Sequence, residues 1–310
     1  MKRFVLPLVL GLAGCAPAAS VGVPSAAPGG AGRFAALEAE VRRRVAALPG
    51  DTLEVSVALV DLQTGDSMLM AAHERMHAAS TMKVPVMLEL FRRADAGELA
   101  LDGPVEVRNA FRSIADGSAY TLSPDDDSDR EIYGHVGRTA TVRELVERMI
   151  TRSSNLATNL LIDLAEPARI AATLASLGAS ETVVLRGVED GPAFRAGMNN
   201  TTTAYGLMKT LEAIAAGRAA SPRATEEMLA ILGRQEFREM IPAGVPAGVR
   251  VANKTGWITG IDHDAAVVLP AGRRPYVLVV LTRGFRDRDA ARRIGVEVSR
   301  RSWESVTGAR

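Results

Sequence analysis

Strand-forming sequence stands near the two ends of this chain and hardly between them, and that placement constrains the fold more than any other feature. Near the start, Val55, Val57 and Leu59 lead to Asp61-Leu62, a Gln63-Thr64-Gly65-Asp66 turn follows, and Met68 to Ala71 run back. That is a hairpin signature. Near the end, Val249 to Ala252, Ala265 to Leu269 and Tyr276 to Leu281 are short β-branched or apolar runs separated by turns. The stretch between, roughly 80–235, has helical apolar spacing. A helix over Arg33 to Leu48, with Phe34, Leu37, Val41 and Val45 on one face, precedes the first strand, and another over about 288–304 closes the chain. Strands drawn from both ends predict an α/β fold: one antiparallel sheet flanked by helices, plus an all-helical subdomain over roughly 80–235.

The first residues read as an export signal. Met1-Lys2-Arg3 is basic, and Phe4 to Leu12 is a largely apolar run of nine residues. A bilayer span needs roughly 20. The run ends in Leu12-Ala13-Gly14-Cys15, which resembles a bacterial lipobox. The resemblance implies a signal peptide over 1–14 and a lipid on the Cys15 sulfur. Residues 15–32 then form a tether to a domain over 33–308. The expected location is the periplasmic face of a bacterial membrane, and the absence of Asp after Cys15 points by analogy to the outer one. Cys15 is the only cysteine, so disulfides and thiolate chemistry are excluded from the folded domain.

A formal net charge of +1 and 4 % aromatic residues argue against a nucleic-acid partner. The basic residues divide unevenly, with 33 Arg and four Lys: Lys2, Lys83, Lys209 and Lys254. A guanidinium stays protonated at any workable pH, whereas burial can neutralise an amine, so each lysine in an arginine-rich chain invites a chemical question. The Asp125-Asp126-Asp127-Ser128-Asp129 run lacks the glycine and terminal glutamate of a calcium loop and reads as a solvated loop. His73 and His77 could share a helix face, but with no third ligand in view they read as surface residues. No metal and no cofactor is expected, and a monomer is the default.

Three short motifs carry the chemistry. In Ser80-Thr81-Met82-Lys83 the hydroxyl and the amine are three apart, hence on one face of a helix start, where an amine of lowered pKa can take the serine proton. Read alone, Ser80 is equally a helix cap with a solvated lysine beside it. Ser153-Ser154-Asn155 follows a helix announced by the capping pattern Thr141-Val142-Arg143-Glu144 and opens another through Leu156, Leu160 and Leu164. A serine and an amide at such a turn can face a cleft as proton relay and donor. Lys254-Thr255-Gly256 lies on the strand beginning near Val249: the amine and hydroxyl can hold a carboxylate, and the glycine leaves room for a substrate along the strand edge.

Together and in this order, Ser-x-x-Lys, Ser-x-Asn and Lys-Thr-Gly resemble the motifs of serine β-lactamases and penicillin-binding proteins, with spacing similar to that of class A β-lactamases. The resemblance covers 33–308. It implies Ser80 as acylated nucleophile, Lys83 as its proton acceptor, and Ser153 as relay to the leaving nitrogen. It further implies Asn155 as a substrate-amide contact, Lys254 and Thr255 as carboxylate anchor, and an oxyanion hole from the backbone N–H groups of Ser80 and Trp257. The family's Arg-x-Glu-x-x-Leu-Asn loop is matched imperfectly by Arg186-Gly187-Val188-Glu189: the glutamate is one residue later and no Leu-Asn follows. Glu189 is therefore either the base that activates the hydrolytic water or a structural partner of Arg186. Ser154 replaces the usual aspartate, and Ile261-Asp262-His263-Asp264 appears where an anchoring arginine is often found. The expected activity is hydrolysis of a β-lactam amide. The alternatives are a penicillin-binding-like D,D-peptidase or esterase with slow deacylation, and a lipoprotein that binds peptidoglycan fragments without catalysis.

Overall fold

The structure is a computed structural model that describes Met1, residues 32–47 and residues 53–309. Cys15, the apolar run before it and nearly all of the tether lie outside the described residues. Strands β1 (Glu54–Asp61), β2 (Ser67–Met70), β3 (Arg250–Ile258), β4 (Ile261–Leu269) and β5 (Tyr276–Arg283) form one antiparallel sheet in the order β2-β1-β5-β4-β3. Sequence-distant strands thus lie side by side, as the end-weighted pattern predicts.

Successive side chains of a strand point to opposite faces, and both faces of this sheet are covered. Val57, Leu59, Ala266 and Val280 pack on one side with Leu37 and Val41 of α1 (Ala35–Ala46). Ala58, Val60, Val277 and Val279 pack on the other with the large helical core. That core is built by α2 (Lys83–Asp95), α3 (Val142–Thr151), α4 (Asn155–Ala165), α5 (Pro167–Ser176), α6 (Ala204–Ala215) and α7 (Pro222–Gly233), while α8 (Arg288–Thr307) returns to the α1 side. Among these, α6 lies directly on β1, β4 and β5. A full capping box starts α3 sharply: the Thr141 hydroxyl accepts Glu144 N–H at 3.1 Å and the Glu144 carboxylate accepts Thr141 N–H at 2.8 Å. Such a cap contributes ~1 kcal/mol. Pro85 falls in the first turn of α2, where its missing N–H costs nothing.

Three differences from the sequence reading have physical causes. Strands β3 and β4 run beyond their apolar stretches, because buried polar residues (Asn253, Lys254, Thr255, Asp262, His263 and Asp264) occupy the ends nearest the site. The middle of the chain also holds short ribbons, pairing Met76–His77 with Thr201–Thr202, Pro104–Glu106 with Thr139–Thr141 and Phe111–Arg112 with Ala119–Tyr120. The acidic run is not simply solvated: Asp127 and Asp129 are buried, because backbone N–H groups and arginines receive their carboxylates. Among the described residues no helix is long and apolar enough to cross a membrane, and no cluster of His, Cys, Asp and Glu could hold a metal ion.

Candidate active site

Ser80 stands in one tight helical turn, Ala79–Met82, that runs directly into α2. Ala79 before it has φ +44°, a left-handed conformation that an alanine holds only under constraint. The constraint is local: His77 Nδ1 accepts Ala79 N–H at 3.0 Å, and Ala78 N–H donates to the Asn200 carbonyl at 2.9 Å. His77 is therefore half-buried at the site, not a surface residue. Accepting that bond requires a neutral ring, and burial with the nearby Arg186 charge pushes its pKa down.

The edge strand β3 passes this turn at backbone contact. A Cβ on Gly256 would sit 2.8 Å from Ser80 N and 2.9 Å from Thr81 N, so only glycine fits there. The glycine thus serves first the approach of strand to nucleophile, a closer reason than room for substrate. Trp257 follows it, with its ring 4.8 Å from Phe237 and the Arg288 guanidinium 4.4 Å from its centroid.

Beneath the cleft floor two lysines share one hydroxyl. Lys83 Nζ and Lys254 Nζ each lie 3.1 Å from Ser153 Oγ, and both amines are completely buried. Lys83 also donates to the Ser153 carbonyl at 2.7 Å and to Asn155 Oδ1 at 3.0 Å. Desolvation pulls its pKa down to about 7, against the opposing charges of Asp127 and Glu189. The Lys254 amine donates to the Thr255 carbonyl at 2.8 Å and is likewise driven well down by burial and by Lys83, with Asp264 opposing. Thr255 Oγ1 is buried without a hydrogen-bond partner, an orphan that a ligand oxygen would satisfy. Ser153 is held at φ +59°. Ser80 Oγ makes no hydrogen bond among the described residues, so its hydroxyl is unengaged at the mouth of a cleft of about 740 Å³. Ser153, Asn155, Glu189 and Trp257 line the same cleft.

The opposite wall is the loop 186–200, and it brings Glu189 in. Asn159 pins it, donating to the Val188 carbonyl at 3.0 Å and accepting Val188 N–H at 2.6 Å. Asn200 closes its base, accepting from Leu185 and Arg186 N–H at 2.8 and 3.1 Å and donating to the Arg186 carbonyl at 2.9 Å. Glu189 itself adopts φ +63°, and this left-handed residue turns its carboxylate to accept Asn155 Nδ2–H at 3.2 Å. Partial burial, with Asp126 and Asp127 nearby, pushes its carboxyl pKa up, while the Asn155 bond opposes the rise. The alternative role as an Arg186 partner is not realised. That guanidinium donates instead to the Met198 and Gly187 carbonyls, both at 3.0 Å, and to Asn199 Oδ1 at 3.1 Å.

All nine residues expected around the nucleophile therefore converge: Ser80, Lys83, Ser153, Asn155, Glu189, Lys254, Thr255, Gly256 and Trp257. His263 supplies no cation in place of an arginine. Its Nδ1 accepts Thr282 N–H at 3.1 Å, which leaves Nε2–H to donate to the His77 carbonyl at 3.0 Å, and burial holds its pKa near about 4. Sequence reasoning missed Asn159 and read His77 and Asp127 as surface residues, because their spacing carries no motif, whereas Asn200 stands where the sequence expects the loop to close.

An unengaged serine at a helix start, a buried lysine one turn further on, and a lysine–threonine pair on an adjoining strand edge are the arrangement of a serine hydrolase. The chain belongs to the beta-lactamase enzyme family, whose model matches residues 36–306. It is 30 % identical to a beta-lactamase of Streptomyces fradiae over 99 % of this chain and 97 % of that protein. The fold is similar to the beta-lactamase of Sphaerobacter thermophilus, with a TM-score of 0.75 and 28 % identity over 87 % of this chain and 97 % of that one. It is also similar to a mutant of PBP-A solved as an acyl-enzyme complex with penicillin G, with a TM-score of 0.74 and 25 % identity over 88 % and 97 % of the two chains.

Proposed function

We propose that this protein is a serine β-lactamase that opens the lactam amide through an acyl-enzyme on Ser80. The observation that carries the reading is the Ser153 hydroxyl bridging two buried amines beside an unengaged serine. Neutral Lys83 takes the Ser80 proton as Oγ attacks the lactam carbonyl carbon. The backbone N–H groups of Ser80 and Trp257 receive the oxyanion, each such donor contributing ~3–4 kcal/mol in comparable sites. The C–N bond breaks, and the nitrogen takes a proton from Ser153, which the neighbouring amines replace. The substrate carboxylate rests on Lys254 and Thr255, and the side-chain amide meets Asn155. Glu189 then takes a proton from water, whose oxygen attacks the ester carbon; the C–Oγ bond breaks, and the proton taken up by Glu189 passes to Oγ, which frees Ser80.

Anchoring through a lipid on Cys15, on the periplasmic face of the outer membrane, and a monomeric state are part of the same proposal. The anchoring rests on Leu12-Ala13-Gly14-Cys15 and the uncharged tether that follows, and the monomer is the default for such a chain. The extra residue before Glu189, and the likeness to a penicillin acyl-enzyme, favour one second reading, an enzyme that acylates and releases slowly. Intact mass during incubation with benzylpenicillin separates the two. Hydrolysis without a lasting adduct, abolished in Ser80→Ala, is expected. A persistent adduct on Ser80 supports the slow-release reading, and neither adduct nor hydrolysis defeats both.

A further inference from the structure

The buried members of the 125–129 run grip the Ser153 turn. Asp127 Oδ2 accepts the N–H groups of Asn155 and Leu156, both at 2.9 Å, and the Tyr133 hydroxyl at 3.1 Å. Its Oδ1 accepts Asp129 N–H at 3.0 Å. Asn155 and Leu156 open α4, so their N–H groups have no helical carbonyl to meet, and an anion there also faces the positive end of the helix. Ser128 donates to the Arg152 carbonyl at 2.6 Å, and Asp129 pairs with Arg148 at 2.8 Å and Arg152 at 3.4 Å. Three consecutive residues therefore hold the chain on both sides of Ser153, whose left-handed backbone persists only when its surroundings fix it.

Position 154, where the resembling family carries aspartate, is a buried serine whose Oγ merely caps Ala157 N–H at 3.3 Å. We propose that Asp127 supplies the carboxylate missing at position 154: it is the positioning residue that fixes the Ser153–Asn155 turn and the buried anion that faces Lys83. The inference rests on the β-lactamase reading of the site. The charged groups around Lys83 are Asp127, Glu189 and Lys254, with Asp264 behind Lys254. Around Asp127 stand Lys83, Glu189, Tyr133 and Asp126, with Arg148 and Arg152 reached through Asp129. Asp127 and Glu189 both favour the protonated amine of Lys83, so removing one carboxylate lets the amine lose its proton at lower pH.

The test is the rate of acylation by benzylpenicillin across pH, measured on the full chain by quenched mass spectrometry. Asp127→Asn keeps an accepting oxygen and drops the charge. It should slow acylation about 30-fold, seen in kcat more than KM, and move the rising limb about one unit toward acid. Adding Ser154→Asp to that variant should bring the rate back to within about threefold of the original and return the limb. A D127N variant that acylates at the original rate with its limb unmoved overturns the inference. So does one that slows with the limb unmoved and gains nothing from Ser154→Asp, since that is a structural loss alone. If D127N does not fold, Tyr133→Phe decides, because it keeps the charge and removes one donor. A rate about threefold lower with the limb in place is expected, and an unchanged rate overturns the inference. An unmodified protein that forms no acyl-enzyme defeats the reading of the site itself, an outcome distinct from all of these.

Discussion

The two walls of the cleft are built by different means. One is the edge strand β3, where the ladder sets every position: Lys254 lies opposite Ala265, Thr255 opposite Asp264 and Gly256 opposite His263. The other, residues 186–200, has no such ladder and takes its shape from the side chains of Asn159, Arg186 and Asn200. One inserted residue in a strand sends every later side chain to the other face. In the loop, Glu189 is the one non-glycine residue in a left-handed conformation, so a turn there can re-aim a side chain without disturbing a ladder. In the proposed mechanism the strand wall serves acylation and the loop wall serves deacylation, so rigid and adaptable construction fall to different chemical steps.

Damage to the strand wall should have the larger effect. Gly256→Ala places a methyl group 2.8 Å from Ser80 N, so the nucleophile or the strand must shift. A misplacement of about 1 Å costs roughly 100-fold in rate, and the overpacking should destabilise the fold by ~1–3 kcal/mol. Stopped-flow acylation and a thermal melt check both. An unaltered acylation rate would mean that the strand does not set the nucleophile's position.

Loosening the base of the loop wall, with Glu189 itself left in place, should have a smaller effect, confined to one step. Asn200→Ala removes three hydrogen bonds at the base of the loop while leaving the carbonyl that holds Ala78 N–H. Deacylation should slow about tenfold with acylation unchanged within about twofold. Slower acylation with normal release would break the division between the walls.

The smallest expected effect needs no substitution. Lys83 must be neutral to accept a proton, and its pKa is near about 7. Acylation should therefore fall as pH drops below that value. Glu189 must be ionised to act on water, and its carboxyl is pushed up. Deacylation should thus fail in acid at a higher pH than an ordinary glutamate would dictate. Adduct formation and adduct release, followed separately across pH, should show the two limbs.

The contrast also explains what the sequence could disclose. The hairpin and the three late strands were legible because short β-branched or apolar runs bounded by turns stand near both ends of the chain, where the sheet buries both faces. Ser80, Lys83, Ser153 and Lys254 were legible as motifs, since helix starts and strand registers preserve spacing. The buried polar ends of β3 and β4 were hidden because the hydrophobic signal stops at Asn253 and Asp262. Asp127 and Asn159 were hidden for another reason: each acts through a hydrogen bond to backbone far away in sequence, which leaves no periodic trace; His77 was hidden because its bond to Ala79 N–H depends on the left-handed turn there. Spacing alone left Glu189 as either a base or a partner of Arg186, and the hydrogen bonds of Arg186 to Met198, Gly187 and Asn199 separate the two.

The most direct test of the account is Glu189→Ala mixed rapidly with benzylpenicillin and followed by intact mass. The account predicts that the penicilloyl adduct on Ser80 forms at the original rate, persists, and lowers turnover about 1,000-fold, within the range that a general base contributes. Turnover that survives the substitution, or an adduct that never forms, would contradict it.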